Sequence, residues 1–200
     1  MFSGLQRLMA TLLVAGTATL LLGSPASAAA DPGKLIEQLI GEISEIARTR
    51  TGADRQAAMR QVVQDKFDLP ALGRSALGAY WNQASEPQRA RFLAAVEATE
   101  ARAYSERLGR HAGYSVTITR VNPRVDGTWL VESRLEQAGG SPIAVQWEVR
   151  QSAGGLRVGD VRVEGISMAL VLRADYGAYI LSNAGQVEPL VRRLEARADR

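Results

Sequence analysis

The chain has 200 residues, with 24 basic and 21 acidic side chains, a single histidine and no cysteine. The absence of cysteine excludes disulfides, thiol nucleophiles and thiolate metal sites. Basic and acidic side chains are interleaved along the chain, so the charge pattern gives no case for binding nucleic acid.

The N-terminus has the three regions of a secretory signal peptide. Arg7 supplies the positive charge, residues 8–22 form an uncharged apolar run, and small residues continue to Ala28. A membrane anchor is the alternative, but it needs about 20 apolar residues to cross the hydrocarbon core, and this run is shorter. We expect cleavage after Ala28, which leaves residues 29–200 as a single domain.

The first part of this domain, to about residue 112, is predicted to be helical. Apolar side chains recur at helical spacing over residues 34–48. Asp54 is a candidate N-cap for a second helix, and Asp68 is placed to cap a short third helix that ends at Gly78.

The longest helix is predicted to begin after Ser85 and to run to about residue 110. Ser85 and Gln88 have the spacing of a capping box, with a proline in the first turn. His111 follows at the C-terminal end, where the helix dipole favours a cation. We therefore favour a capping role for His111 over a catalytic one.

Over residues 113–165 the period of the apolar side chains changes to two, which predicts an antiparallel meander. Turn residues rich in glycine separate four strands. These predicted strands begin near Tyr114, Trp129, Ile143 and Leu156. In the last strand the apolar phase slips at Gly159, which indicates a bulge.

The C-terminal part, residues 166–197, is predicted to form two helices. Ser167 is placed to cap the first, and the second covers residues 186–196. Helices gathered on one face of a curved, four-stranded antiparallel sheet make an α+β fold.

Few residues have the pattern of a reactive site. A serine triad needs a histidine between its other two members, and zinc or calcium sites need clustered ligands. Asp160 is the one candidate acid, because it lies among valines in the last strand. Such an acid is more often held by backbone N–H groups or by an arginine, for which Arg173 is a plausible partner. We predict no catalytic residue, no metal site and no cofactor.

Two motifs carry a resemblance to a known family. The first runs from Asp160 to Met168 (Asp-Val-Arg-Val-Glu-Gly-Ile-Ser-Met) and continues into Arg173 and Tyr176. The second comprises residues 73–81 (Gly-Arg-Ser-Ala-Leu-Gly-Ala-Tyr-Trp), followed by Gln88-Arg89. In this order the motifs resemble the MlaC family of periplasmic phospholipid carriers, and the likeness spans roughly residues 34–194. One departure is Leu156, where the family usually has tryptophan.

The resemblance implies a periplasmic, monomeric carrier that performs no catalysis. Such a carrier moves phospholipid between an inner-membrane ABC transporter of the Mla type and an outer-membrane lipoprotein complex, and so maintains the lipid asymmetry of the outer membrane. A lipid with two acyl chains carries on the order of 30 methylenes, which cost roughly 20 kcal/mol or more to withdraw from a membrane. The family therefore implies an apolar cavity enclosed between sheet and helices.

We expect apolar side chains from both the sheet and the helices to line this cavity. The predicted lining residues are Leu77, Tyr80, Phe92, Tyr104, Val116, Ile118, Val131, Val145, Trp147, Val163, Ile166, Met168 and Leu172. Arg74 and Arg173 are candidates for contact with the phosphate of the head group.

Three other functions remain open from the sequence. A related carrier associated with hopanoid synthesis has similar motifs, although the segment from Val163 to Ser167 is closer to the phospholipid branch. A small periplasmic enzyme would use Asp160 or His111 in an apolar pocket. A structural envelope protein would instead have a filled core.

Overall fold

The structure is a computed structural model that describes residues 31–108, 115–136 and 139–199, and the side chains of residues 104–108 lie outside this description. The helices of the described residues are α1 (Pro32–Thr49), α2 (Gly52–Lys66), α3 (Leu69–Leu77), α4 (Tyr80–Gln83), α5 (Glu86–Leu108), α6 (Met168–Ser182) and α7 (Glu188–Ala198). The strands are β1 (Ser115–Pro123), β2 (Trp129–Glu136), β3 (Ile143–Ser152), β4 (Gly155–Val163) and β5 (Ile166–Ser167).

Local sequence sets most of the helix starts. Asp68 accepts a hydrogen bond at 3.1 Å from the Ala71 N–H at the start of α3. At α5 the predicted capping box is confirmed, because the Ser85 N–H donates to Gln88 Oε1 at 3.0 Å and the Gln88 N–H donates to Ser85 Oγ at 3.4 Å.

The prediction for the start of α2 was wrong by one turn. The N-cap is Thr51, whose side chain makes no capping hydrogen bond, and Asp54 lies in the first turn of the helix. The helix dipole stabilises an acid in the first turn even when that acid caps no N–H group. An aspartate near a helix start is therefore compatible with either the N-cap or the first turn.

The strands form one antiparallel sheet in the order β1-β2-β3-β4-β5. The four predicted strands are present, and β5 adds two residues at the edge, where Ser167 pairs with Arg162. The predicted bulge is also confirmed: Glu148 pairs with Asp160 and Val149 with Val158, so Gly159 has no partner on β3.

Two apolar clusters form the core. The sheet cluster packs α1 and α2 against β2, β3 and β4, and its buried residues are Ile36, Leu39, Ile46, Met59, Val62, Val63, Phe67, Ala101, Val131, Val145, Trp147, Val149, Val158 and Val161. The helix cluster joins α3, α5, α6 and α7, and its buried residues are Ala76, Leu77, Ala84, Phe92, Ala95, Val96, Tyr176, Ile180, Val187, Leu190, Val191 and Leu194.

This arrangement confirms the predicted α+β fold. Helices α1, α2, α3 and α6 contact the sheet, while α7 packs on α5 and α6. Within the described residues, none of the helices is both long and apolar enough to cross a membrane. His111, and with it the predicted end of the long helix near residue 110, lies outside the described residues.

Candidate functional site

An apolar cavity lies where the two clusters meet. Its volume is about 40 Å³. The walls come from the end of α2, the inner face of α3, α5, β4 and the first turns of α6. The lining residues are Val63, Phe67, Leu69, Leu72, Ala76, Val96, Glu100, Asp160, Val161, Met168, Ala169 and Leu172.

The size of this cavity limits what it can hold. One water molecule needs roughly 10–15 Å³ of such volume, whereas pockets for small organic ligands measure about 300–1,000 Å³. Since ten of the twelve lining residues are apolar, the space suits hydrocarbon. A long apolar ligand therefore enters only if the surrounding helices move apart.

Asp160 ties the strand side of the cavity to the helix side. Its Oδ1 accepts hydrogen bonds from the N–H groups of Val161 and Ala169 at 2.9 and 3.1 Å, and its Oδ2 accepts from Ser167 Oγ at 2.6 Å. The Ser167 hydroxyl in turn accepts from the Leu170 N–H at 3.1 Å. The carboxylate thus holds the first turn of α6 in place.

The predicted pairing of Asp160 with Arg173 was wrong. The nearest guanidinium to Asp160 is that of Arg162, whose Nε lies 3.7 Å from Oδ2. Arg173 lies over Gly78 instead. A Cβ atom added to Gly78 would come within 2.6 Å of the Arg173 Nε. Unpaired N–H groups at the start of α6 are closer to the carboxylate and take the hydrogen bonds that an arginine would have supplied.

A larger groove lies between α5, α6 and α7, with a volume of about 560 Å³. Its lining residues are Thr99, Glu100, Ala103, Met168, Val171, Leu172, Asp175, Tyr176, Ala178, Tyr179, Leu190, Arg193, Leu194 and Arg197. Glu100, Met168 and Leu172 line both the groove and the cavity. These three side chains therefore form the partition between the two spaces.

Tyr176 anchors the floor of the groove in the helix cluster. Its ring meets that of Phe92 edge to face, with centroids 5.7 Å apart and an angle of 86° between the planes. Burial, with a smaller contribution from the carboxylate of Glu100, raises the pKa of the Tyr176 hydroxyl above its usual range. The hydroxyl is therefore neutral at any physiological pH.

The predicted lining residues are distributed over several parts of the molecule. Met168 and Leu172 line the cavity. Val131, Val145 and Trp147 are buried in the sheet cluster, and Ile118 and Val163 pack against it. Leu77 and Phe92 are buried in the helix cluster, and Tyr80 packs against it. Val116 is half-buried on β1, Ile166 is 59% exposed, and the side chain of Tyr104 lies outside the described residues.

The two predicted phosphate contacts lie near the C-terminal end of α3. The guanidinium carbon of Arg74 is 6.0 Å from the ring centroid of Trp81, and Arg173 lies against Gly78. Neither arginine is among the residues that line the cavity or the groove.

Sequence reasoning named Leu77 of α3 as a lining residue but none of the side chains of α2 and α3 that line this cavity. Phe67 forms a bridge to Val158, and the Asp68 N–H donates to the Val158 carbonyl at 2.9 Å, which brings the connection between α2 and α3 against β4. A signal existed in α3, because Leu69, Leu72 and Ala76 recur at helical spacing and so share one face.

Fold and site define a small α+β domain with an apolar space between one antiparallel sheet and the helices that cover it. Compared with known families, residues 34–196 match the model described as "MlaC protein". The chain belongs to the MlaC family.

A solved structure shows the same fold. The phospholipid-binding protein from Ralstonia solanacearum, determined in complex with a phospholipid, superimposes with a TM-score of 0.70 over 85% of this chain and 98% of that chain, at 19% sequence identity. A comparison with curated proteins finds no match.

Proposed function

We propose that this protein is a periplasmic phospholipid carrier, which encloses acyl chains and shuttles lipid between an inner-membrane transporter of the Mla type and an outer-membrane lipoprotein complex. The observation that supports this most is the apolar cavity that adjoins a groove of about 560 Å³. The MlaC family and the phospholipid in the complex of the Ralstonia solanacearum protein support the same ligand class.

Acyl chains enter as the helices separate from the sheet. Each methylene withdrawn from water is worth about 0.8 kcal/mol, so a chain that fills the space offsets the packing lost when it opens. Helix α6 supplies Met168 and Leu172, which line both the cavity and the groove, so displacement of these side chains opens one space to the other.

We assign Asp160 a structural role and not a catalytic one. Both of its oxygens accept hydrogen bonds from groups at the β4–α6 junction. A general acid or base has to meet a substrate proton, and this carboxylate is already committed to positioning the helix. The energy for directional transport would come from a partner, and docking to that partner would keep the acyl chains out of water.

Identification of lipid bound to the purified protein tests the proposal. We expect organic extracts and native mass spectrometry to show phospholipid in about equimolar amount, since an unfilled apolar space loses dispersion contacts. A hopanoid mass would assign the protein to the hopanoid-associated carriers instead. Preparations that remain free of lipid after incubation with vesicles would contradict the proposal.

A matched pair of leucine variants tests the site itself. Leu72 lines the cavity, while Leu93 is similarly half-buried and packs against the helix cluster without lining the cavity or the groove. We expect Leu72→Gln to lower the bound phospholipid several-fold, since it places an amide in contact with the acyl chains. Leu93→Gln should retain lipid at similar thermal stability, and an equal loss in both variants would contradict the placement of the site.

A further inference from the structure

The groove between α5, α6 and α7 is built from one face of each helix. On α7 the lining residues Leu190, Arg193, Leu194 and Arg197 follow helical spacing. The lining residues of α6 and α5 also follow helical spacing. Only side chains separate the groove from the apolar cavity at Glu100, Met168 and Leu172. A molecule that lies in the groove can therefore extend an apolar tail past Met168 and Leu172.

Two guanidinium groups lie along the α7 wall of this groove. Arg193 and Arg197 are one turn apart, and the guanidinium carbon of Arg193 lies 4.4 Å from the ring centroid of Tyr179 on α6. This cation–π contact holds Arg193 across the groove. The neighbouring Arg192, in contrast, pairs with Glu188 at 3.2 Å and does not line the groove.

Two carboxylates lie on the other walls. Glu100 extends from α5 and Asp175 from α6. Both carboxylates raise the pKa of the Tyr176 hydroxyl and Arg197 lowers it, although burial is the largest cause of the shift. Groups of both charges therefore line the same groove as the buried Tyr176.

We propose that this groove binds a zwitterionic phospholipid head group that carries an amine, with the phosphate at Arg193 and Arg197 and the ammonium at Glu100 and Asp175. The inference rests on the phospholipid carriage proposed above. Guanidinium groups bind phosphate oxygens through charge-assisted hydrogen bonds, and carboxylates accept from an ammonium group. The head group of phosphatidylglycerol has the phosphate and no cation, so it meets only half of this arrangement.

Lipid exchange from mixed vesicles tests the proposal. The purified full-length mature protein is incubated with vesicles that contain equal amounts of phosphatidylethanolamine and phosphatidylglycerol, re-isolated and extracted for mass spectrometry. Because the charged groups are partly exposed, we expect phosphatidylethanolamine to be enriched by about two- to fivefold in the wild-type protein.

Three variants separate the roles of the charges. Asp175→Asn should keep the total lipid and move the ratio towards one, because it weakens only the ammonium contact. Arg193→Gln combined with Arg197→Gln should lower the amount of both lipids. Arg192→Gln is the matched control, one residue along the same helix and outside the groove, and should behave as wild type in amount and ratio.

The outcomes distinguish this inference from the proposed function. Bound lipid with no preference between head groups, or with a ratio that Asp175→Asn leaves unchanged, would overturn the head-group site and leave phospholipid carriage standing. A loss of lipid in Arg192→Gln as large as that in the double variant would also overturn it. Absence of lipid from the wild-type protein would remove the proposed function and this site with it. Thermal unfolding of each variant shows whether a loss of bound lipid comes from a loss of folding.

Discussion

Asp160 connects three neighbouring segments through a single side chain. It lies on β4 beside the unpaired Gly159, and its carboxylate accepts hydrogen bonds from the backbone of β4, from Ser167 in β5 and from the first turn of α6. Only 8% of the residue is exposed. In such a site the hydrogen bonds are formed with little competition from water, so the charge contributes to stability as well as to position.

Replacing this carboxylate should weaken the protein measurably. In Asp160→Asn one oxygen becomes an NH2 group, so a buried donor faces either an N–H group or the Ser167 hydroxyl. We expect the free energy of unfolding, measured with urea, to fall by about 1–3 kcal/mol. Asp199→Asn, at the exposed end of α7, is the control and should change it by less than about 0.5 kcal/mol. Equal effects would mean that the hydrogen bonds of Asp160 contribute little.

Among the elements, the helices differ in how their first turns are closed. Helix α5 has a reciprocal capping box, α3 and α6 have a side-chain acceptor from Asp68 and Ser167, and α2 has an N-cap threonine with no side-chain hydrogen bond. The unpaired N–H groups of a helix start must otherwise be satisfied by water. The start of α2 is therefore the least supported of these four.

This difference predicts unequal effects for two similar substitutions. Ser85→Ala removes an acceptor that the Gln88 N–H uses, and we expect a loss of about 1 kcal/mol in the free energy of unfolding. Thr51→Ala removes a side chain that caps nothing and should change that free energy by less than about 0.5 kcal/mol. Urea unfolding of the two variants side by side gives the comparison. A loss in Thr51→Ala as large as that in Ser85→Ala would contradict this difference between the two helix starts.

For the whole molecule, ionic contacts between α5 and α7 stabilise one wall of the proposed lipid site. Arg91 Nε donates to Glu195 Oε1 at 2.7 Å, and Arg91 Nη1 donates to Glu188 Oε1 at 2.9 Å. Gln88 also donates to Glu188, at 3.1 Å. The hydrogen bond from Gln88, followed by that from Arg91, holds the pKa of Glu188 below its usual value of 4.5, and the hydrogen bond from Arg91 does the same for Glu195.

These lowered pKa values predict a loss of stability in acid. Because the folded-state pKa lies below the unfolded one, the contribution is present above about pH 4.5 and is lost as the pH falls through the folded-state pKa. We expect the urea midpoint of the wild-type protein to exceed that of Arg91→Gln at about pH 6 and the difference to shrink towards about pH 3. Arg48→Gln, whose partner Glu45 lies on the same helix, should show a smaller difference. A gap for Arg91→Gln that is constant with pH would contradict the role of these carboxylates.

The core shows what the periodicity of apolar side chains can and cannot predict. Alternation along β3 and β4 correctly predicted buried valines, and the slip at Gly159 predicted the bulge. Periodicity shows which face of an element is buried, and it does not show which other element covers that face. The sequence predicts that Phe92 and Val145 line one cavity, and in the structure they are buried in different clusters.

Local sequence by itself determined the elements: the helix starts at Asp68, Ser85 and Ser167, the meander of four strands and the bulge, because each depends on side chains only a few residues apart. The motif from Asp160 to Met168 also indicated the family that the comparison then showed. Tertiary structure alone decided which arginines and leucines meet across space. Arg173 was a reasonable partner for Asp160 by sequence, but packing carried it over Gly78, while α5, α6 and α7 brought Arg193 and Arg197 to the groove. Contacts between distant segments depend on how whole helices pack, and no short stretch of residues encodes that packing.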